Sequence, residues 1–331
     1  MKKIIFTVLL ASSLLLTAQE KEDKGTFTLS GTVDVYGTTD FGDSSGAPGI
    51  LIANPQNANG FGLGFANTVF AYEKGKAGVV ADLAFGPRAE DANLAGAINQ
   101  LYAYYNLSDK VKITAGQFNT FLGYEVISPA ANFNYTVSYL FNEGPFSHTG
   151  VKLDYAHSED LSFMFAFTNA HAISSADGNT SGDTQLGAQV GYKGQYLNLI
   201  YGATEANATN DNIFIDYTGG FDLSDSFYLG INAAYANSSD ADSGYKGIAL
   251  YLQNTLSEKL ALGLRPEFFQ RTTVGIDQDV FALTITANAN LTENLKLITD
   301  LRLDSSKDGL IEAFPTKDSV TALTIAAVYS F

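Results

Sequence analysis

"VFALTITANANLTENLKLITDLRLD", Val280 to Asp304, decides the fold. Phe281, Leu283, Ile285, Ala287 and Ala289 alternate with Thr284, Thr286, Asn288 and Asn290, so one face is apolar and the other polar. After the turn "TEN" (Thr292–Asn294) the alternation resumes, with Leu295, Leu297, Leu301 and Leu303 set against Lys296, Asp300 and Arg302. A period of two means strand, and two such runs across a tight turn mean an antiparallel hairpin. Outward from this hairpin the same pattern recurs in about sixteen segments, the first near Phe27 and the last near Val320. In "TFTLSGTVDVYG", Phe27, Leu29, Val33 and Val35 oppose Thr28, Ser30, Thr32, Asp34 and Tyr36. Phe61–Tyr72 is the least regular, slipping near Asn67 as a bulge would make it.

An apolar face needs either a core or a lipid bilayer, and the connections choose between them. Short links, such as Glu73–Lys76, Ser108–Lys110, Ser158–Asp160, Lys193–Gln195 and Ser257–Lys259, alternate strictly with long ones. The long ones include Thr38–Gly60, Pro87–Gly96, Thr120–Thr149, Ala170–Thr184 and Asp304–Asp318. Tight turns on one rim and long loops on the other are expected of an all-β, up-and-down transmembrane barrel. The polar faces agree. Asp34, Asp82, Lys112, Lys152, Asp154, Asp216, Arg265, Glu267, Lys296, Asp300 and Arg302 lie on them. In a dry core each would cost several kcal/mol unless paired, whereas in a water-filled lumen they cost little. Tyr72, Tyr105, Tyr155, Tyr192, Tyr217, Phe227 and Tyr329 sit within about two residues of the short turns, as an interfacial aromatic girdle does.

The chain begins "MKKIIFTVLLASSLLLTAQE". Lys2 and Lys3 precede a run of 13 largely apolar residues, Ile4–Leu16, and the small residues Thr17 and Ala18. That is the plan of a secretory signal peptide, 1–18, and it is shorter than the roughly 20 residues a spanning helix needs. Residues 19–331 then form the barrel. With no cysteine, there is no disulfide framework and no acylated lipoprotein cysteine. Removing 1–18 takes two lysines from 19 bases and leaves 17 against 35 acids, a net charge of −18. Nucleic acid is therefore not an expected partner.

One stretch breaks the pattern. "FLGYEVISPAANFNYTVSYLFNEGPFSHTG", Phe121 to Gly150, carries many aromatics but no alternation. From Gly116 the surrounding words run Gly116, Phe118, Thr120, Gly123 and Glu125, then Asn132 and Asn134, then Ser138, Tyr139 and Phe141, then Pro145, His148 and Gly150. This order resembles the signature of the OmpL-like β-barrel porin family of Gram-negative outer membranes. "GTVDVYG" (Gly31–Gly37) and "QLYAYY" (Gln100–Tyr105) resemble its first and fourth strands. The resemblance implies an outer-membrane porin of about sixteen strands whose third long loop, 119–149, folds into the lumen as a constriction. It also implies that the terminal Tyr329 and Phe331 resemble the signal read by the barrel-assembly machinery.

Within that loop Phe121, Tyr124, Phe133, Tyr135, Tyr139, Phe141 and Phe146 are the candidates for packing, and Asn132, Asn134 and Ser138 for bonding irregular backbone. Glu143 completes the candidate set. Glu125 has two compatible readings: a charge at the constriction that sets selectivity, or a salt bridge that pins the loop. Among inward wall positions six acids meet six bases, Arg271 included, while the excess acidity sits in the long loops. There Asp40, Asp43, Glu90, Asp91, Asp177, Asp183, Glu205, Asp211, Asp240, Asp242, Asp277, Asp279, Asp304, Asp308, Glu312 and Asp318 face only Arg88, Lys246, Lys307 and Lys317. That predicts a mild cation preference, felt within a Debye length of roughly 8 Å.

No enzyme, cofactor or metal site is expected. His148, His157 and His171 are scattered, and the one local pairing to weigh for an outer-membrane protease or phospholipase is His171 with Asp177 or Asp183. "DADSG" (Asp240–Gly244) lacks the acid of a calcium loop, since Tyr251 stands twelfth. The expected partners are outer-membrane lipid and lipopolysaccharide, the assembly machinery, and small hydrophilic solutes diffusing passively. A homotrimer is compatible, because wall buried between subunits and wall facing lipid carry the same pattern. The alternative is a non-conducting barrel corked by its third loop, serving as receptor, adhesin or structural protein.

Overall fold

The computed structural model of the chain describes residues 24–41, 60–92, 96–170, 184–203, 212–238, 243–273, 276–307 and 319–331. The signal-peptide segment, His171 and the acids of "DADSG" lie outside them.

Sixteen strands follow in order: β1 (Thr26–Asp40), β2 (Gly60–Lys74), β3 (Ala77–Phe85), β4 (Ile98–Ser108), β5 (Val111–Asn119), β6 (Ser147–Ala156), β7 (Leu161–Asn169) and β8 (Thr184–Tyr192). The second half comprises β9 (Gln195–Gly202), β10 (Asn212–Asp222), β11 (Phe227–Ser238), β12 (Ser243–Ser257), β13 (Leu260–Thr273), β14 (Ile276–Asn290), β15 (Leu295–Ser305) and β16 (Ser319–Ser330). Each pairs antiparallel with its neighbours in sequence, and β1 pairs with β16, so the sheet closes. Closure satisfies every edge, which a span in hydrocarbon demands. No helix among the described residues is long and apolar enough to cross a membrane. Among the described residues two short helices occur between strands, α1 (Pro87–Ala92) and α2 (Tyr139–Glu143).

The alternation read from the sequence sorts the wall into two faces. On β1, Phe27, Val33 and Val35 are 46–61% exposed, while Thr32, Asp34 and Tyr36 are nearly buried. Ile285 of β14 is exposed and its neighbours Thr284 and Thr286 are fully buried. The outward face is therefore the apolar one. The seven girdle aromatics fall on outward-facing positions, with Tyr72, Tyr105, Tyr192 and Tyr329 well exposed. At the seam Phe331 and Gly31 exchange two backbone hydrogen bonds of 3.0 Å. The Phe331 ring fills the space a side chain at position 31 would need.

Three details differ from the sequence reading. The irregularity of β2 lies at Gly64–Phe65, where both residues are buried in succession and the register against β1 shifts between Val33 and Val35; Asn67 itself is in register. The strict alternation of loop lengths fails in the second half, because only residues 239–242 link β11 to β12 and only 274–275 link β13 to β14. There the ladder runs on to Thr273 and Ile276, so β12, β13 and β14 reach 14–15 residues and wall replaces loop. Asp277, Asp279 and Lys246 accordingly lie on strands, not loops. Finally, Ser147–Thr149 pair with Gln117–Asn119, which confines the irregular segment to 120–146.

Candidate functional site

The irregular segment leaves β5 and returns to β6 over a bonded root. Thr120 N donates to Phe146 O at 3.0 Å, Thr120 Oγ1 lies 2.9 Å from His148 Nε2, and the Phe121 ring stacks on His148 at 4.7 Å. At the segment's centre Tyr135–Tyr139 is 0–4% exposed. Buried backbone without helix or sheet must find other partners, and here charged side chains supply them.

Arg88 of α1 donates to Tyr135 O and, at 3.4 Å, to Ile127 O, with its guanidinium 4.7 Å from the centre of the Tyr135 ring. Asp300 of β15 accepts Thr136 N at 2.8 Å and Thr136 Oγ1 at 2.9 Å. Arg265 of β13 donates to Thr136 O at 2.5 Å and Val137 O at 3.1 Å, and Arg302 of β15 donates to Val137 O at 2.7 Å. Glu267 of β13 accepts Tyr139 N and Leu140 N at 3.0 and 2.9 Å. Nearer the roots, Asp216 of β10 accepts Gly123 N at 2.9 Å, and Lys296 of β15 donates to Ala130 O at 2.8 Å.

Glu125 takes the pinning arrangement. It is 4% exposed; one oxygen accepts Arg265 Nη1 at 2.6 Å and the other accepts Ser138 N and Oγ at 2.8 and 2.6 Å. Ser138 in turn caps α2 by accepting Phe141 N at 3.1 Å. Asn132 bonds Val126 N and O across a local turn, and Asn134 reaches Thr286 of β14. Tyr135 OH donates to Asp34 at 2.6 Å and Tyr139 OH to Asp304 at 3.0 Å. Burial pushes both phenols well above their ordinary range, so they remain donors. Glu143 lies 3.5 Å from Arg271.

The wall charges expected to face water therefore divide. Asp34, Asp216, Arg265, Glu267, Asp300 and Arg302 are at most 3% exposed and grip the segment, as does the half-buried Lys296. Their burial is tolerable because each meets an opposite charge, a backbone dipole or a polar side chain. Asp82 is also buried, its oxygens taken by Asn67, Asn99 and Gln100. Lys112 is exposed, and Lys152 and Asp154 pair at 3.1 Å while remaining 22% and 32% exposed. Tyr102 and Tyr104 of β4 are part-exposed beside them.

Sequence reading missed three members. Arg88 and Asp304 were assigned to the outer loops, yet Arg88 is fully buried and Asp304 sits on β15, bonded to Arg302 at 2.9 Å. Pro87, directly after Gly86, was the available signal for α1, since proline suits the first turn of a helix. Gly64 is the third: a Cβ there would fall 1.9 Å from Asp34 Oδ1 and 2.4 Å from the Tyr135 hydroxyl.

A closed barrel of sixteen strands, apolar outside and polar inside except where Phe214, Phe269, Val280 and Ile298 pack inward, is the architecture of the porin class of outer-membrane protein. The chain belongs to the OmpL-like β-barrel porin family: residues 26–331 match the family described as "Putative beta-barrel porin-2, OmpL-like". No curated protein is a significant sequence match. Among solved structures the chain is similar to an anion-selective porin from Comamonas acidovorans, at 12% identity and TM-score 0.64, covering 93% of this chain and 100% of that one. The outer membrane channel DcaP of Acinetobacter baumannii gives 12% and 0.61 over 93% and 97%. OmpT of Vibrio cholerae, lacking its loop L8, gives 12% and 0.60 over 93% and 100%. At such identities the likeness is one of fold.

Proposed function

We propose that this family member is a passive diffusion channel for small hydrophilic solutes and ions, narrowed by the 120–146 segment lying inside the barrel. One observation carries this reading. The segment is bonded to inward-facing side chains of β1, β10, β13, β14 and β15, while the inner residues Lys112, Lys152 and Asp154 of β5 and β6 stay open to solvent. These three open a water-filled mouth at the short-turn end of the β4–β6 arc, the proposed channel entrance; farther along the arc Thr114, Gln117 and His148 are at most 2% exposed. The mouth's two bases and one acid give no excess of negative charge, so the mild cation preference is assigned to the acidic long-loop rim, most of which lies outside the described residues.

The remaining expectations belong to this reading: an exported chain with a leader at 1–18, a barrel in outer-membrane lipid with its acidic rim toward lipopolysaccharide, and assembly machinery engaging Tyr329 and Phe331. A homotrimer fits an outer wall that is apolar all round. The breadth of the grip also favours a second reading, a barrel corked by its segment. Single-channel recording of the refolded protein in a planar bilayer separates them. Stepwise conductance, with a reversal potential displaced toward the cation value in a salt gradient, is expected of the channel. A folded barrel without conductance selects the cork.

A further inference from the structure

On the side of the short turns the segment does not meet the wall tightly. It leaves two cavities, of about 500 and about 400 Å³, that share Tyr124, Glu125 and Tyr228 as lining. Each falls in the range of small-molecule sites. The larger reaches the turn glycine Gly194 and adds Tyr196, Gln189 and Thr218; the smaller adds Gln253 and Asn132. The ionic groups on this lining are already engaged. Glu125 is held by Arg265 and Ser138, and Lys296 donates to Ala130 O and Asn132 O at 2.8 and 3.3 Å. What the cavities offer is neutral: tyrosine rings, their hydroxyls and carboxamides. Tyr124 stacks on Tyr251 at 4.1 Å, and its hydroxyl lies 3.3 Å from that of Tyr228, so the ring between the cavities is held firmly from two sides. Burial raises the Tyr124 phenol, which keeps its proton for hydrogen bonding.

Rigid aromatic faces beside hydroxyl and amide groups, without a free charge, suit a solute with an apolar ring face and many hydroxyls. We propose that these paired cavities form a binding site for neutral saccharides, with the exposed Tyr196 and the half-buried Tyr228 as the stacking residues. The proposal rests on the channel reading for its physiological meaning, but the site itself does not need an open pore. A charged solute gains nothing here, and a linear polyol has the hydroxyls without the ring face.

The test is titration calorimetry of the refolded protein with sucrose, with sorbitol as the linear control, beside bilayer recordings with sucrose added. Saturable binding of sucrose and none of sorbitol is expected. Tyr228→Ala and Tyr196→Ala should each weaken it roughly tenfold, the ratio carried by an aromatic contact of about 1.4 kcal/mol. Tyr228→Phe keeps the ring and should retain binding, which separates loss of the face from loss of the fold. Absence of saturable binding, equal binding of sorbitol, or binding indifferent to both alanine variants would overturn the proposal. Tyrosine-dependent binding by a barrel that does not conduct would leave the site standing and remove the channel.

Discussion

At the scale of single residues, the charges inside this barrel act as backbone partners before they act on solutes. Glu125 was legible as the sharpest charge of the segment, but which of its two readings held was not, because its partner Arg265 lies 140 residues away. Truncating one member of a buried pair strands the other. Glu125→Ala should therefore cost about 3–5 kcal/mol in urea unfolding of the folded barrel, and a loss below about 1 kcal/mol would mean the pair is not holding the segment. Gly64 makes a coupled case. A methyl at position 64 must displace Asp34, and Tyr135→Phe removes the same Asp34 bond from the other side. The two changes should be clearly non-additive in a double-mutant cycle, by about 0.5 kcal/mol or more. Strict additivity would show that they do not share the carboxylate.

At the scale of elements, the strands were the readable part. Period-two alternation needs only local sequence, and it placed sixteen strands and assigned the faces of β1, β14 and β15 correctly. It misplaced what depends on pairing. The bulge sits at Gly64–Phe65, where the backbone N–H of Phe65 turns to Asp34 at 2.8 Å, and nothing local marks that bond. The long β13–β14 hairpin hid because charged Asp277 and Asp279 look like loop until Thr272 and Gln270 are seen to bond them across the ladder. The segment's irregularity was equally plain, and the reason it is ordered was not, since Asp300 and Thr136 meet across 164 residues of chain. If side chains replace secondary structure as backbone partners, the amides of Thr136, Ser138, Tyr139 and Leu140 should exchange as slowly as those of the wall. Exchange at the rate of an open loop would show that the bonds are transient.

At the scale of the whole molecule, most of the described inner charges are taken up by bonds to the segment and the wall, so the proposed selectivity is assigned to the acidic long loops. Selectivity that arises at the rim acts through solvent and must weaken as the Debye length falls from about 10 Å at 0.1 M to about 3 Å at 1 M salt. The displacement of the reversal potential should shrink correspondingly; a preference unchanged at 1 M would place its origin in the barrel instead. In the proposed channel a segment gripped by wall charges narrows an otherwise wide cylinder. The most direct test of that narrowing is single-channel conductance of the intact protein beside a variant in which residues 124–143 are replaced by a short Gly/Ser link. Both should conduct, and the shortened barrel should conduct several-fold more. Equal conductance in a correctly folded variant would contradict the narrowing.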